Sequence, residues 1–432
     1  MSPELVGLLG IVAVVVLLLL RFWIGAAFIV VGFLGYGYLV GWEKALLMAA
    51  FEPFSNIAQY HLTVIPMFIL MGAVVANTGV SGDLYNTAHK WIGQLRGGLA
   101  MTTVVSCGMF AAVCGSSMAT SVTMGKVAFP EMKKHNYDPR LASGSIAAGG
   151  TLGILIPPSM GFILYGIITE TSIGKLFMAG IIPGVLEVVF YMITIYILCL
   201  INPLMGPPGP KAGFKEKIFS LRNTWAMITL FLIVMGGIYM GIFTPTEAGA
   251  VGAFGAIVIS FFARRLTLSN FRATIIETAQ TTGMIALILV GAFIFMRFLT
   301  VSRLPFLMGE MVSGLPVPPM AIMMAIIVFY ILVGCIMDIV AALLITVPII
   351  FPVVLALGFD PIWFGVIMVR MFEIGAITPP MGLNVFILAT ATDVPIGTIF
   401  RGIIPFLLAD FAHVALLVAI PALSLFLPSI MM

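Results

Sequence analysis

Two stretches of this chain set paired prolines inside otherwise apolar runs. The first is Gly149-Gly150-Thr151-Leu152-Gly153-Ile154-Leu155-Ile156-Pro157-Pro158-Ser159, and the second is Gly375-Ala376-Ile377-Thr378-Pro379-Pro380-Met381-Gly382-Leu383-Asn384. Proline has no backbone N–H and its ring clashes with the preceding turn, so a pair unwinds the helix that it interrupts. Carbonyls released in this way within hydrocarbon must be satisfied by protein, water or an ion. A ring of backbone carbonyls with a few hydroxyls and no fixed charge suits a hard monovalent cation such as Na⁺. Helix starts at 116–120 and 338–342 would expose N–H groups and a positive dipole end, which favours an anion. The substrate-facing candidates are Ser117, Thr120, Ser159, Asp338, Arg370 and Asn384.

Several of these residues have a second reading. Ser116, Ser117 and Thr120 could equally serve helix capping or interhelical packing. Asp338, Arg370 and Glu373 are functional candidates by default, because burying charge in a membrane is costly. Arg370 and Glu373, at i,i+3, could also be a structural ion pair. A membrane-embedded enzyme using Asp338 and Glu373 as a carboxylate pair is the rival from another functional class. Other chemistry is missing from the sequence, which has no phosphate-binding Gly-rich loop ending in Gly-Lys-Ser/Thr, no His-Glu-x-x-His and no Gly-x-Ser-x-Gly. Cys107, Cys114, Cys199 and Cys335 form no Cys-x-x-Cys pair, and His61, His89, His135 and His413 show no metal spacing.

The elements that must position these residues follow from composition. The chain has 432 residues, of which 61% are hydrophobic and 9% charged, against about 25% charged in a soluble domain. Apolar stretches of about 16–25 residues recur, and about 20 residues cross a hydrocarbon layer of about 30 Å. An all-α polytopic membrane protein is predicted. A net charge of +3 is too weak a basic balance for a nucleic-acid partner. Residues 5–20 are wholly apolar, and with Glu4 ahead of them and no basic n-region they do not read as a signal peptide.

Basic clusters set the expected topology. They are Lys90 with Arg96; Lys126, Lys133, Lys134 and Arg140; Lys211, Lys215, Lys217 and Arg222; and Arg264, Arg265 and Arg272. All four can face the cytoplasm only if the apolar segments 98–114 and 117–129 do not cross, so they read as a re-entrant helical hairpin with its tip at Gly115-Ser116-Ser117. Residues 44–58 and 267–276, mixed in polarity, read as interfacial arms.

The same architecture occurs twice. Between Ser116 and Pro183 stand five prolines, Pro130, Pro139, Pro157, Pro158 and Pro183, and every one meets proline 222 residues later, at Pro352, Pro361, Pro379, Pro380 and Pro405. The shift also superposes Gly153 on Gly375 and Gly180-Ile181-Ile182-Pro183 on Gly402-Ile403-Ile404-Pro405. A duplication predicts a second hairpin over 319–353 with Asp338 at its tip. An odd number of connecting spans, with a loop at 353–361 lacking Lys and Arg, predicts that the halves are inverted.

Five motifs in this order resemble the large membrane subunit of tripartite ATP-independent periplasmic (TRAP) transporters over essentially the whole chain. They are Ile65-Pro66-Met67-Phe68-Ile69-Leu70-Met71-Gly72, Gly115-Ser116-Ser117-Met118-Ala119-Thr120, Gly153-Ile154-Leu155-Ile156-Pro157-Pro158-Ser159, Gly241-Ile242-Phe243-Thr244-Pro245-Thr246-Glu247-Ala248 and Ile377-Thr378-Pro379-Pro380-Met381-Gly382-Leu383-Asn384. The resemblance implies an elevator-type carrier in the bacterial inner membrane, with Na⁺-coupled uptake of an organic acid. It also implies two partners, a periplasmic substrate-binding protein and a small four-helix membrane subunit. Its sodium sites would fall on Gly334, Gly375, Thr378 and Met381, and on Cys114, Ser116, Gly153 and Ile156. Where the family usually has Ser-Gly-Ser-Ser, this chain has Cys114-Gly115-Ser116-Ser117, which leaves a backbone carbonyl at position 114 to serve.

Under that resemblance the transport unit would comprise 98–172 and 319–393, each a hairpin plus a broken helix. The scaffold would comprise 1–77 and 176–300, and 398–432 would form a C-terminal helix. A stand-alone Na⁺/anion symporter of the same architecture is the alternative within transport, and the sequence does not name the acid carried.

Overall fold

Asp138 and Asp360 each stand before a proline, and this pairing starts a helix well: the carboxylate serves free N–H groups while proline at the first position forfeits none. Asp138 accepts from the N–H of Arg140 at 2.7 Å, and Asp360 accepts from Ile362 and Trp363 at 2.8 and 2.9 Å. The helices that follow, Pro139–Leu155 and Pro361–Ile377, have 17 residues each. Both end where the Pro-Pro pairs force the preceding residue, Ile156 or Thr378, into extended backbone. Ten-residue helices, Met160–Thr169 and Leu383–Thr392, resume beyond the breaks.

The computed structural model describes residues 1–209, 212–314 and 316–431; Lys211 of the third basic cluster lies outside the described residues. Among the described residues every regular element is helical, and eight helices are long and apolar enough to cross a membrane. Helix boundaries recur at the offset read from the prolines. Gly98–Cys114 and Ser117–Lys134 in the first half correspond to Pro319–Ile336 and Ile339–Ala356 in the second. The tip of the first pair needs Gly115, because φ there is +66° and an added Cβ would lie 2.6 Å from the Pro158 carbonyl oxygen. The second pair turns at Met337-Asp338, and its 18-residue arms extend about 27 Å each, just under a hydrocarbon thickness.

The two pairs pack differently. Gly98–Cys114 and Ser117–Lys134 lie along each other and along Pro139–Leu155. Pro319–Ile336 packs on Pro361–Ile377, while Ile339–Ala356 leaves its partner arm to meet Leu304–Ser313 and Met160–Thr169.

Outside these elements, Ile24–Val40 packs closely on Leu268–Ser302, and Val64–Asn77 on Pro245–Phe262. Small residues let membrane helices approach this way: a Cβ at Gly32 would sit 2.9 Å from the Phe295 Cα. Thr244 and Glu247 close a reciprocal cap at the start of Pro245–Phe262. Residues 42–57 form a separate helix, tied by a 2.6 Å ion pair from Glu52 to Arg297. The chain from Leu268 instead runs straight into the next span as one 35-residue helix to Ser302.

Candidate substrate and cation sites at the hairpin tips

Each Pro-Pro pair withdraws two donors at fixed places. In a helix the N–H of residue i serves the carbonyl of i−4. Pro157 and Pro158 therefore leave Gly153 and Ile154 without their helical donors, and Pro379 and Pro380 do the same to Gly375 and Ala376. Thr378 takes up part of the second break, its N–H donating to Gly375 at 3.1 Å and its hydroxyl to the Ile374 carbonyl at 2.5 Å.

The glycines bring hairpins and breaks together. Gly153 lies against the first tip, where a Cβ would fall 2.5 Å from the Ser116 carbonyl oxygen. Gly375 lies against Gly334 so closely that a Cβ would overlap its backbone. Ser116 and Gly153 are thus neighbours, as are Gly334, Gly375 and Thr378. Ile156 and Met381 occupy the breaks themselves, and Met381 is half exposed. The carbonyl of Cys114 faces the outer helix Val64–Asn77, lying 2.8 Å from where a Cβ on Gly72 would be.

A cavity of about 460 Å³ opens between both tips, both breaks and the outer helices. Cys114, Ser116, Ser117, Ser159, Gly334, Asp338 and Asn384 line it. Gly153, Ile156, Gly375, Thr378 and Met381 are not among its lining residues, nor is Thr120, whose buried hydroxyl donates to the Ser116 carbonyl at 2.8 Å. Four helices begin at this cavity, with Ser117, Met160, Ile339 and Leu383 as their first residues. Ser116, Ser159 and Asp338 cap three of them, accepting from Ala119, Phe162 and Val340 at 3.3, 3.4 and 3.0 Å. Asn384, in the fourth, is 1% exposed; its Oδ1 accepts from the Ser117 hydroxyl at 3.4 Å, and its Nδ2 has no protein partner. Four helix starts and a spare amide donor make a pocket suited to an oxyanion.

Arg370 lies elsewhere. It is fully buried and bonds Glu187 and Glu373 at 2.7 Å each and Asp410 at 2.9 Å. Tyr191 donates to Asp410 at 2.6 Å and stands 3.4 Å from the Thr151 hydroxyl. The guanidinium thus ties Pro361–Ile377 to Ile173–Ile201 and Ile396–Ala419. Asp338 and Glu373 do not meet: the first caps a helix at the cavity, and the second belongs to this cluster. Among the described residues no group of three His, Cys, Asp or Glu side chains could hold a metal.

The sequence reading missed two cavity residues, Glu277 and Thr281, on Leu268–Ser302. Glu277 accepts from the Asn77 amide at 3.0 Å. The available signal was the run Glu277-Thr278-Ala279-Gln280-Thr281-Thr282, unusually polar for the start of an apolar span. It also missed Glu187 and Asp410, the partners of Arg370.

The family model for the tripartite ATP-independent periplasmic transporter, DctM component, matches residues 11–423. This chain is a member of that family. A C4-dicarboxylate TRAP transporter large permease of Pseudomonas aeruginosa is 37% identical, covering 90% of this chain and 93% of its own length. A sialic acid TRAP permease of Vibrio cholerae is 31% identical over 88% and 89%. An ectoine/5-hydroxyectoine permease of Ruegeria pomeroyi is 33% identical over 96% of both chains. Among solved structures, the YdaH transporter of Alcanivorax borkumensis aligns with TM-score 0.62 at 14% identity, covering 89% of this chain and 88% of that one, a likeness of fold. As a TRAP large permease, the protein is a multi-pass component of the bacterial inner membrane and a transport subunit rather than an enzyme. Membership carries with it a small membrane subunit and a periplasmic binding protein as partners.

Proposed function

We propose that this permease subunit moves a small organic acid into the cell by Na⁺-coupled symport, with the substrate handed over by the binding protein. The observation that carries the reading is the convergence of four helix starts and the unpaired Asn384 amide on one cavity, directly in front of two Pro-Pro breaks whose carbonyls lack helical donors. An oxyanion fits the helix starts, and Na⁺ fits the carbonyls of Gly153 and Ile156 in one half and Gly334 and Gly375 in the other, with the Thr378 hydroxyl. C4-dicarboxylates, sialic acid and ectoine, named for its relatives, all bear a carboxylate.

Coupling follows if cation and substrate complete each other's surroundings. Na⁺ on the carbonyls holds tip against break, and this fixes the helix starts that the anion needs. The hairpins and broken helices then slide as one body, an elevator, against Val64–Asn77 and Leu268–Ser302. Reconstitution with both partner subunits tests this: uptake should collapse when K⁺ replaces Na⁺. Equal rates in the two salts would refute symport.

A further inference from the structure

The cluster around Arg370 holds more acid than its one guanidinium can balance. Glu187, Glu373 and Asp410 all pair with Arg370, and all four side chains are 0% exposed. Among the described residues no other Lys or Arg pairs with these acids. Three ionised carboxylates would leave two negative charges in excess among membrane helices, where unmatched charge is costly. His413, one turn beyond Asp410, is also fully buried, and neither ring nitrogen has a protein partner. An imidazolium there would bury two unpaired N–H donors, so His413 does not supply the missing charge. Nor does a metal ion, since no group of three His, Cys, Asp or Glu among the described residues could hold one. What can fill the deficit without ligands or space is a proton.

The hydrogen bonds single out which acid takes it. Asp410 Oδ1 accepts from Arg370 Nη2 at 2.9 Å and from the Tyr191 hydroxyl at 2.6 Å. Glu373 Oε2 accepts from Arg370 Nη1 at 2.7 Å. Glu187 Oε1 lies 2.7 Å from the same Nη1, yet neither of its oxygens receives a hydrogen bond. An ionised carboxylate buried without a donor is the worst placed of the three. Two neighbouring acceptors are idle as well, Glu373 Oε1 and Asp410 Oδ2. We infer that Glu187 is a proton-binding site, a neutral carboxylic acid in the folded permease whose O–H serves one of those idle oxygens. Arg370 then balances one of two ionised carboxylates, and the remaining charge is spread over both of them with the Tyr191 hydroxyl. Glu187 is a positioning residue in this arrangement, fastening Ile173–Ile201 to the second broken helix by donation. It does not line the substrate cavity, so its proton is a resident of the fold and not a coupling ion.

Infrared spectroscopy of the purified full-length permease at neutral pH tests this directly, because a carboxylic acid and a carboxylate absorb at separate frequencies. The parent should show a carboxylic-acid carbonyl band, and Glu187→Gln should remove one carboxyl group's share of it while leaving the carboxylate bands intact. Glutamine is a neutral isostere of the acid form. Glu187→Gln should therefore keep the thermal unfolding midpoint in detergent within about 3 °C of the parent. Glu373→Gln and Asp410→Asn each take an ionised partner from Arg370 and should lower that midpoint by about 5 °C or more. A parent spectrum without the acid band would overturn the inference before any variant is made. Loss of carboxylate absorption in Glu187→Gln would overturn it too, by showing the group ionised. So would a Glu187→Gln chain that fails to fold or melts as low as the other two, because a neutral side chain would then be no substitute.

Discussion

Thr378 shows how much a single side chain can do at a helix break. Its N–H and hydroxyl close onto Gly375 and Ile374, so the hydroxyl oxygen proposed as a cation ligand is held in place by the break. Valine has the same shape and no oxygen. Thr378→Val should raise the Na⁺ concentration for half-maximal uptake by about tenfold, equivalent to about 1.4 kcal/mol, with expression and assembly unchanged. Na⁺ titration of uptake measures this, and an unaltered midpoint would remove Thr378 from the cation site. Asn384 makes the matching case for substrate. Its free amide lies in the cavity wall, so Asn384→Ala should lose about 1–2 kcal/mol of substrate affinity, read as a raised KM at saturating Na⁺. An unchanged KM would mean that the amide serves only Ser117.

Among the elements, the repeat explains why so much was legible beforehand. The prolines at 139, 157 and 158 and their counterparts at 361, 379 and 380 specify a start and a stop. The structure begins and ends its helices at those points in both halves. The tips were legible as well, because Gly115 and Ser116 carry turn and cap chemistry that local sequence encodes. Arg370 shows where legibility ended. Glu373, three residues away, was visible as a partner, but Glu187 and Asp410 come from helices 183 and 40 residues distant in sequence, and no spacing rule reaches them. The result is a buried clamp between helices. Arg370→Met would leave three carboxylates around an apolar side chain, and removing one partner of a buried ion pair costs about 3–5 kcal/mol. A markedly lower thermal unfolding midpoint in detergent is expected, and little change would argue against a structural clamp. Gly375→Ala acts at a different joint, where the new methyl meets the Gly334 backbone; overpacking of that kind costs about 1–3 kcal/mol.

At the scale of the whole molecule, the elevator reading turns on one contact between the outer helices and the first hairpin. Gly72 on Val64–Asn77 faces the Cys114 carbonyl, and a Cβ there would come within 2.8 Å of it. The same helix lines the cavity through Phe68, Ile69, Ala73 and Ala76, a mostly smooth apolar face against which a hairpin tip can slide. A backbone oxygen has no rotamer with which to move aside, so a branched side chain at position 72 would wedge the tip away or hold it fast. A fixed-site carrier would tolerate the change after local adjustment. A sliding one would not, since the tip must pass the obstruction in every cycle. Gly72→Val should therefore lower Na⁺-driven uptake at least tenfold while substrate still binds the purified permease with near-native affinity. Uptake that stays within twofold of the parent would show that this contact does not move during transport, and a matching loss of binding would locate the defect in the site rather than in the motion.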